Sequence, residues 1–426
     1  MPTPASSQKE VRDKDQDKVQ AASTADDKTD RPPTPPPTQT ELEKQREHEE
    51  QRKKAGEERK KVVKQEIDRL NEKFKNLSYY YKIVDRVGSG AFSTVYKAVD
   101  LRQDYYDNSA WRVASAAAEK HNFIALKRVY MTSSPDRIAN EIAILRDIRG
   151  SAYVTPLITA FRQHDQIYIV LPYIEHDNFH TIFRSMSLQD MRYYLKSLFA
   201  GLAHLHEQNI IHRDVKPGNF LYNQRHRTGV LVDFGLAQRQ ANPPAAAANP
   251  SKEESQPLLA TNNTPGFYRN DPRKPLRANR AGTRGYRAPE VLFRMMHQTF
   301  LIYFIAIDIW SVGVLMLSLF TGRYPFFLAH DDSDALVEIA TLFGLAEMKA
   351  CANSHRRTFE TNIESIPPTR VSFYRLVLEL NNEHAKTWSE QELRDAVDLM
   401  AQSLELDWTK RITAKDALQH PFLACI

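Results

Sequence analysis

The spacing of apolar and polar positions changes several times along this chain, and each change marks an element. Residues 1–40 show no apolar periodicity and close on RPPTPPPTQT. Such a stretch buries too little surface to offset the entropy of ordering, which predicts a disordered Pro/Thr-rich tail. Over 41–78 the chain is dense in charge, and its last part carries Val63, Ile67, Leu70, Phe74 and Leu77 at alternating spacings of four and three. That stripe predicts a helix laid against a folded body, and it is too short to argue a coiled coil.

From Tyr79 onward, KIVDRVGSGAFSTVYKAV and then FIALKRVY read as strands, with Gly88 and Gly90 marking the turn between the first two and an Ala-rich polar insertion at about 101–121. SSPDRIANEIAILRDI predicts a helix capped by Ser134 with Pro135 at its first position. Beyond about residue 188 the pattern is helical, with Leu195, Leu198, Leu202 and Leu205 on one stripe. A second insertion, about 236–280, is low in complexity and rich in Pro and Asn. A strand-rich first part and a helix-rich second part predict an α+β chain of two lobes, 79–171 and 172–424.

Composition narrows this picture. The 426 residues are 42% apolar, enough for a substantial core, and a net charge of +5 over that length is no argument for direct nucleic-acid binding. Cys351 and Cys425 are the only cysteines, which excludes a disulfide framework or a zinc site built on Cys-x-x-Cys. The start of the chain has no apolar stretch of the secretory kind, so no secretory signal is expected. The run from Phe300 to Phe320 is apolar enough to suggest a membrane span, but Asp308 lies near its middle. A central carboxylate costs about 2.5–3.5 kcal/mol on insertion, which favours a buried core helix and no membrane.

Candidate chemistry is spread over several segments. Ile138, Glu141, Ile142 and Leu145 share one helical face, so a carboxylate lies among aliphatic residues and needs a cation; Lys127 in the strand IALK supplies one. Alone, a glutamate at the edge of such a face would bend out to solvent. Gly88 and Gly90 in VGSGAF let backbone approach a polyphosphate, although Ser93 replaces a third glycine and Gly-x-Gly is more often a plain turn. Val95 is placed to cover a purine. IIHRDVKPGN at 210–219 and LVDFG at 231–235 bring acids into loops after apolar strands. Phosphoryl transfer needs a base to orient a hydroxyl, cations near the γ-phosphate and oxygen ligands for Mg²⁺. Asp214 suits the first task, Lys216 with Lys127 the second, and Asn219 with Asp233 the third.

In that order along the chain, GSGAFSTV, IALK, Glu141, HRDVKPGN, DFG, RAPE at 287–290, DIWSVGV at 308–314 and Arg411 resemble the eukaryotic protein kinases over about 79–424. The resemblance implies a β-rich N-lobe and an α-helical C-lobe with ATP and Mg²⁺ between them. It assigns Val87, Gly88, Gly90, Val95, Ala125, Lys127, Glu141, Pro172 and Ile174 to ATP, with the hinge near 171–174. It makes Asp308 an anchor for the catalytic-loop backbone and pairs Glu290 with Arg411. Lys216, two residues after Asp214, and Thr283 resemble the Ser/Thr branch.

PYIEHDNF, RDVKPGNFLYN, LVDFGLAQ and AGTRGYRAPEVL are similar to the cell-division-cycle-seven kinases. That likeness implies a regulatory activator subunit, nuclear work in DNA replication on subunits of the minichromosome maintenance helicase, and targets beside acidic or phosphorylated residues. Arg280, Thr283, Arg284 and Arg287 become the substrate-recognition candidates, since arginine forks suit such anions; equally, some of these arginines would pair within the chain. Two other readings stay open: a catalytically silent scaffold, and an acidophilic kinase without an obligate subunit. The segment at Thr34-Pro35 further predicts proline-directed phosphorylation, or else a plain spacer.

Overall fold

The computed structural model describes residues 39–74, 76–90, 92–107, 123–239, 282–293, 305–355, 357–381 and 385–426. The expectations for the tail and Thr34, for most of both insertions, for Arg280 and for the apolar residues just before 305 lie outside the described residues.

Helix α1 (Gln39–Lys73) is built from good helix formers, and a short turn, α2 (Leu77–Tyr80), follows it. The chain divides into two units at Val62. In the first, Lys54 and Glu50 sit one helical turn apart at 3.9 Å, a solvated pair of little energetic weight. The second unit, from Val63, holds all the elements that follow, and in it Val63, Leu70, Phe74 and Leu77 are buried.

Five antiparallel strands form a sheet in the order β1 (Tyr81–Ser89), β2 (Ser93–Asp100), β3 (Phe123–Val129), β5 (Gln166–Pro172), β4 (Thr159–Gln163). Strand alternation gives it two different faces. Tyr96, Ala98, Ile124, Leu126, Tyr168 and Val170 pack with Leu70, Phe74 and Leu77 in one cluster. Val95 and Lys127, opposite one another in register, belong to the other face. There lies α3 (Pro135–Asp147), whose cap Ser134 accepts from the Arg137 amide at 3.3 Å. Its buried residues are Ile138, Glu141, Ile144 and Leu145. The sequence pattern expects Ile142 there, yet Ile144 is fully buried and Ile142 only partly. The helix is covered over a wider arc than one stripe, and Ile144 joins the core that continues into the second lobe.

The second lobe follows α4 (Phe179–Ile182) and is organised around α5 (Leu188–Glu207), with Leu195, Leu198, Leu202 and Leu205 fully buried. Two short ladders come next: β6 (Ile210–Ile211) pairs with β9 (Gln238–Arg239), and β7 (Phe220–Asn223) with β8 (Thr228–Leu231). The turn α6 (Pro289–Leu292) precedes α7 (Ile305–Thr321), in which every residue from Ile307 is buried. The apolar run is therefore a core helix. No described helix is long and apolar enough to cross a membrane. Helices α8 (Asp332–Ser354, broken at Gly344), α9 (Phe373–Leu380) and α10 (Glu390–Ser403) complete the layer.

Candidate active site

Lys127 reaches the cleft because β3 turns it to the same side as Val95. Its ammonium donates to Glu141 Oε1 at 2.5 Å and to Asp233 Oδ1 at 2.7 Å. The first two side chains are buried at 8% and 6% exposure, whereas that of Asp233 is half exposed. Burial alone would lower the Lys127 pKa, but the two carboxylates outweigh it and hold it above the ordinary lysine range. Burial would likewise raise Asp233, yet the Lys127 charge and hydrogen bond pull it down to about 2. Asp233 also has φ of 62°, a left-handed backbone that costs a non-glycine residue about 1–3 kcal/mol.

The second group hangs on a buried anchor. Asp308, with no exposed surface, accepts from the backbone N–H groups of His212 at 2.9 Å and Arg213 at 2.8 Å, and from His206 Nε2 at 3.0 Å. The loop after β6 is thereby fixed, with Arg213 at φ 69°. Gly282 lies behind it at φ 97°, where a Cβ would fall 2.5 Å from the Arg213 carbonyl. Asp214 accepts from Lys216 Nζ at 2.8 Å, from Asn219 Nδ2 at 2.9 Å, and from the Thr283 amide and hydroxyl, both at 2.8 Å. Burial opposes its ionisation, but Lys216 and Thr283 prevail and its pKa lies below the usual carboxylate value. The two groups meet through backbone. Val232 N–H donates to the Asn219 carbonyl at 2.9 Å, and His212 Nε2 lies 3.0 Å from the Val232 carbonyl, its ring against Phe234.

The remaining nucleotide-site candidates form a rim. Gly88 faces Val95 across the hairpin, Gly90 N–H donates to the Ser93 carbonyl at 2.9 Å, and Val87 is 41% exposed. Ala125 faces Leu171, Pro172 ends β5 opposite Ile124, and Ile174 is half-buried beyond it.

A protein kinase domain matches residues 81–423. The chain belongs to the protein kinases. It is 41% identical, over 389 residues, to "Cell cycle serine/threonine-protein kinase hsk1" of Schizosaccharomyces pombe, covering 84% of this chain and 76% of that one. It is equally similar, at 41% over 387 residues, to "Cell cycle protein kinase spo4" of the same yeast, with 84% and 89% covered. Against the human "Cell division cycle 7-related protein kinase" identity is 30% over 415 residues, with 67% and 69% covered. Among the kinases it is thus of the Cdc7 type, an ATP-dependent Ser/Thr kinase of the cell cycle.

In this kinase the structural candidates Glu290 and Arg411 form a two-pronged pair at 2.7 and 3.1 Å, and Arg411 also donates to the carbonyls of Ala306 and Glu405. The described arginines flanking Thr283 have partners within the chain. Arg287 donates to Asp332 at 2.7 Å and to the Gly282 carbonyl at 2.8 and 3.1 Å, and Arg284 donates to the His330 carbonyl. Arg287 braces the segment, because a half-buried guanidinium needs fixed acceptors. Other residues escaped notice in the sequence. Arg137, one helical turn before Glu141, donates to the Gly235 carbonyl at 2.5 Å and covers the Phe92 ring at 3.9 Å; Asn140 donates to the Ala237 carbonyl at 2.8 Å. Their spacing from Glu141 was the available signal, but their partners lie about a hundred residues away.

ATP and a divalent metal are what this domain uses. The donor set suits a hard cation: a half-exposed Asp233 carboxylate, and an Asn219 amide whose nitrogen is committed to the Asp214 carbonyl and carboxylate, leaving its oxygen. Among the described residues no group of three or more His, Cys, Asp or Glu could hold a metal ion.

Proposed function

We propose that this kinase transfers the ATP γ-phosphate to Ser or Thr beside acidic or phosphorylated residues, on subunits of the minichromosome maintenance helicase, in the nucleus and under a regulatory activator subunit. The observation that carries the chemistry is the Thr283 hydroxyl donating to Asp214 at 2.8 Å. It makes with this low-pKa carboxylate the contact that a target hydroxyl needs. In this reading Asp214 orients the target hydroxyl and takes its proton as the phosphoryl group reaches the oxygen, and Lys216 balances charge on the moving group. Lys127, held by Glu141, binds phosphate oxygens. Asn219 and Asp233 hold Mg²⁺, which when bound neutralises phosphate charge. Val87, Gly88, Gly90, Val95, Ala125, Pro172 and Ile174 enclose the nucleotide. Arg287 is engaged by a carboxylate, so Arg280 and Arg284, the latter exposed and, among the described residues, bonded only to a backbone carbonyl, carry the acidic preference.

The kinship with cell-cycle kinases of the Cdc7 type supports both the replication role and a partner subunit. The test is a Mg-ATP assay on matched peptides carrying Asp, phosphoserine or Ala after the target, with and without the activator. Turnover that rises with the activator and with the anion is expected. Equal turnover on all three peptides refutes the acidic preference, and equal turnover without the activator refutes the dependence.

A further inference from the structure

The match to the kinase domain begins at Tyr81, yet Leu70, Phe74 and Leu77, from outside that span, fill one face of the sheet. Among its apolar contacts stands one acid. Glu66 Oε2 accepts from the Arg86 guanidinium at 2.8 Å, and Oε1 accepts from the Tyr96 hydroxyl at 2.5 Å. Arg86 and Tyr96 are cross-strand partners, and the register shifts between Arg86 and Gly88 immediately beyond them. One carboxylate therefore ties both strands of the hairpin at the base of the glycine turn. Its side chain is 28% exposed and Tyr96 is fully buried, so the tie sits at the border of the core. Nearer the tip the Tyr130 hydroxyl bonds the buried Thr94 at 2.8 Å and the exposed Ser89 at 3.4 Å, neutral contacts with no charged partner.

We infer that Glu66 is a positioning residue for ATP. It touches no nucleotide; it sets the twist of the β1–β2 hairpin and so the pose of the glycine turn over the phosphates. A hairpin splayed at its base moves its tip by more than its base, and a small misplacement of a positioning group lowers affinity for what it positions. This rests on the reading of Val87, Gly88, Gly90 and Val95 as nucleotide cover.

The test is steady-state kinetics on the full chain with its activating subunit, for Glu66→Ala, Tyr96→Phe and a control, Val95→Asp. Glu66→Ala is expected to raise KM for ATP about three- to tenfold with kcat within about twofold, as loss of a charge-assisted tie in the ground state would. Tyr96→Phe keeps the ring in the core and is expected to raise KM about twofold. A core-filling role alone predicts a lower Tm for Glu66→Ala with KM for ATP unmoved, and that result, alongside a raised KM in Val95→Asp, overturns the proposal. An unmoved KM in Val95→Asp instead overturns the reading of the turn as nucleotide cover, and the proposal with it.

Discussion

The two walls of the active site are held by opposite means. On the C-lobe side, the loop carrying Asp214 hangs from Asp308, a carboxylate with no solvent exposure that accepts two consecutive backbone amides. On the N-lobe side, the glycine turn ends in Phe92, 47% exposed, with the Arg137 guanidinium over its ring. A buried carboxylate satisfied by hydrogen bonds admits one geometry, because any displacement leaves it unpaired in a medium of low dielectric. A cation over an exposed ring contributes little and tolerates displacement. The site thus joins a rigid floor, where a proton must be handled, to a yielding roof, where a nucleotide must enter and leave.

Changes at the floor should dominate. Asp214→Asn is expected to lower kcat by about 10²–10⁴-fold while Tm stays near that of the parent, measured by single-turnover phosphorylation and calorimetry. Arg411→Leu leaves Glu290 buried without its cation and should cost about 3–5 kcal/mol in urea unfolding, the usual penalty for breaking a buried pair. Phe92→Ala at the roof should change unfolding by about 0.5–1 kcal/mol at most. A floor-sized loss there would erase the contrast between the walls.

The smallest expected effect concerns pH. Asp233 has its folded pKa depressed to about 2 from an ordinary 3.8, so its contribution is present above about pH 4 and is lost as pH falls toward 2. Lys127 has its folded pKa raised above an ordinary 10.5, so its contribution is present below that value and is lost only as pH rises past it. Between about pH 5 and 9 Asp233 and Lys127 should therefore leave stability flat. A sloping Tm across that window that disappears in Lys127→Met would contradict it.

Much of both walls is legible in the sequence. A carboxylate on the apolar face of a capped helix demanded a cation, and the nearest strand offered Lys127. Asp308 in the middle of an apolar run argued for a core helix, and the kinase resemblance implied its role as anchor; α7 buries it against the loop. What escaped were contacts set only by the tertiary arrangement. Arg287 and Asp332 are 45 residues apart, and Glu66 meets Arg86 only because the last turns of α1, from Val63 on, pack on the sheet. Ile144 replaced Ile142 for a related reason: a helix covered on two sides buries more than its periodic stripe.

The bond between Glu290 and Arg411 spans 121 positions of chain. The segment from Gly282 to Glu290, which supplies Thr283 to Asp214, is therefore clasped by a residue synthesised much later. On a ribosome, a chain not yet extended to Arg411 holds Glu290 without its cation, and we predict that it phosphorylates nothing. Assay of released chains that end before Arg411, beside the full chain, checks this: activity in the shorter chains would show the idea mistaken.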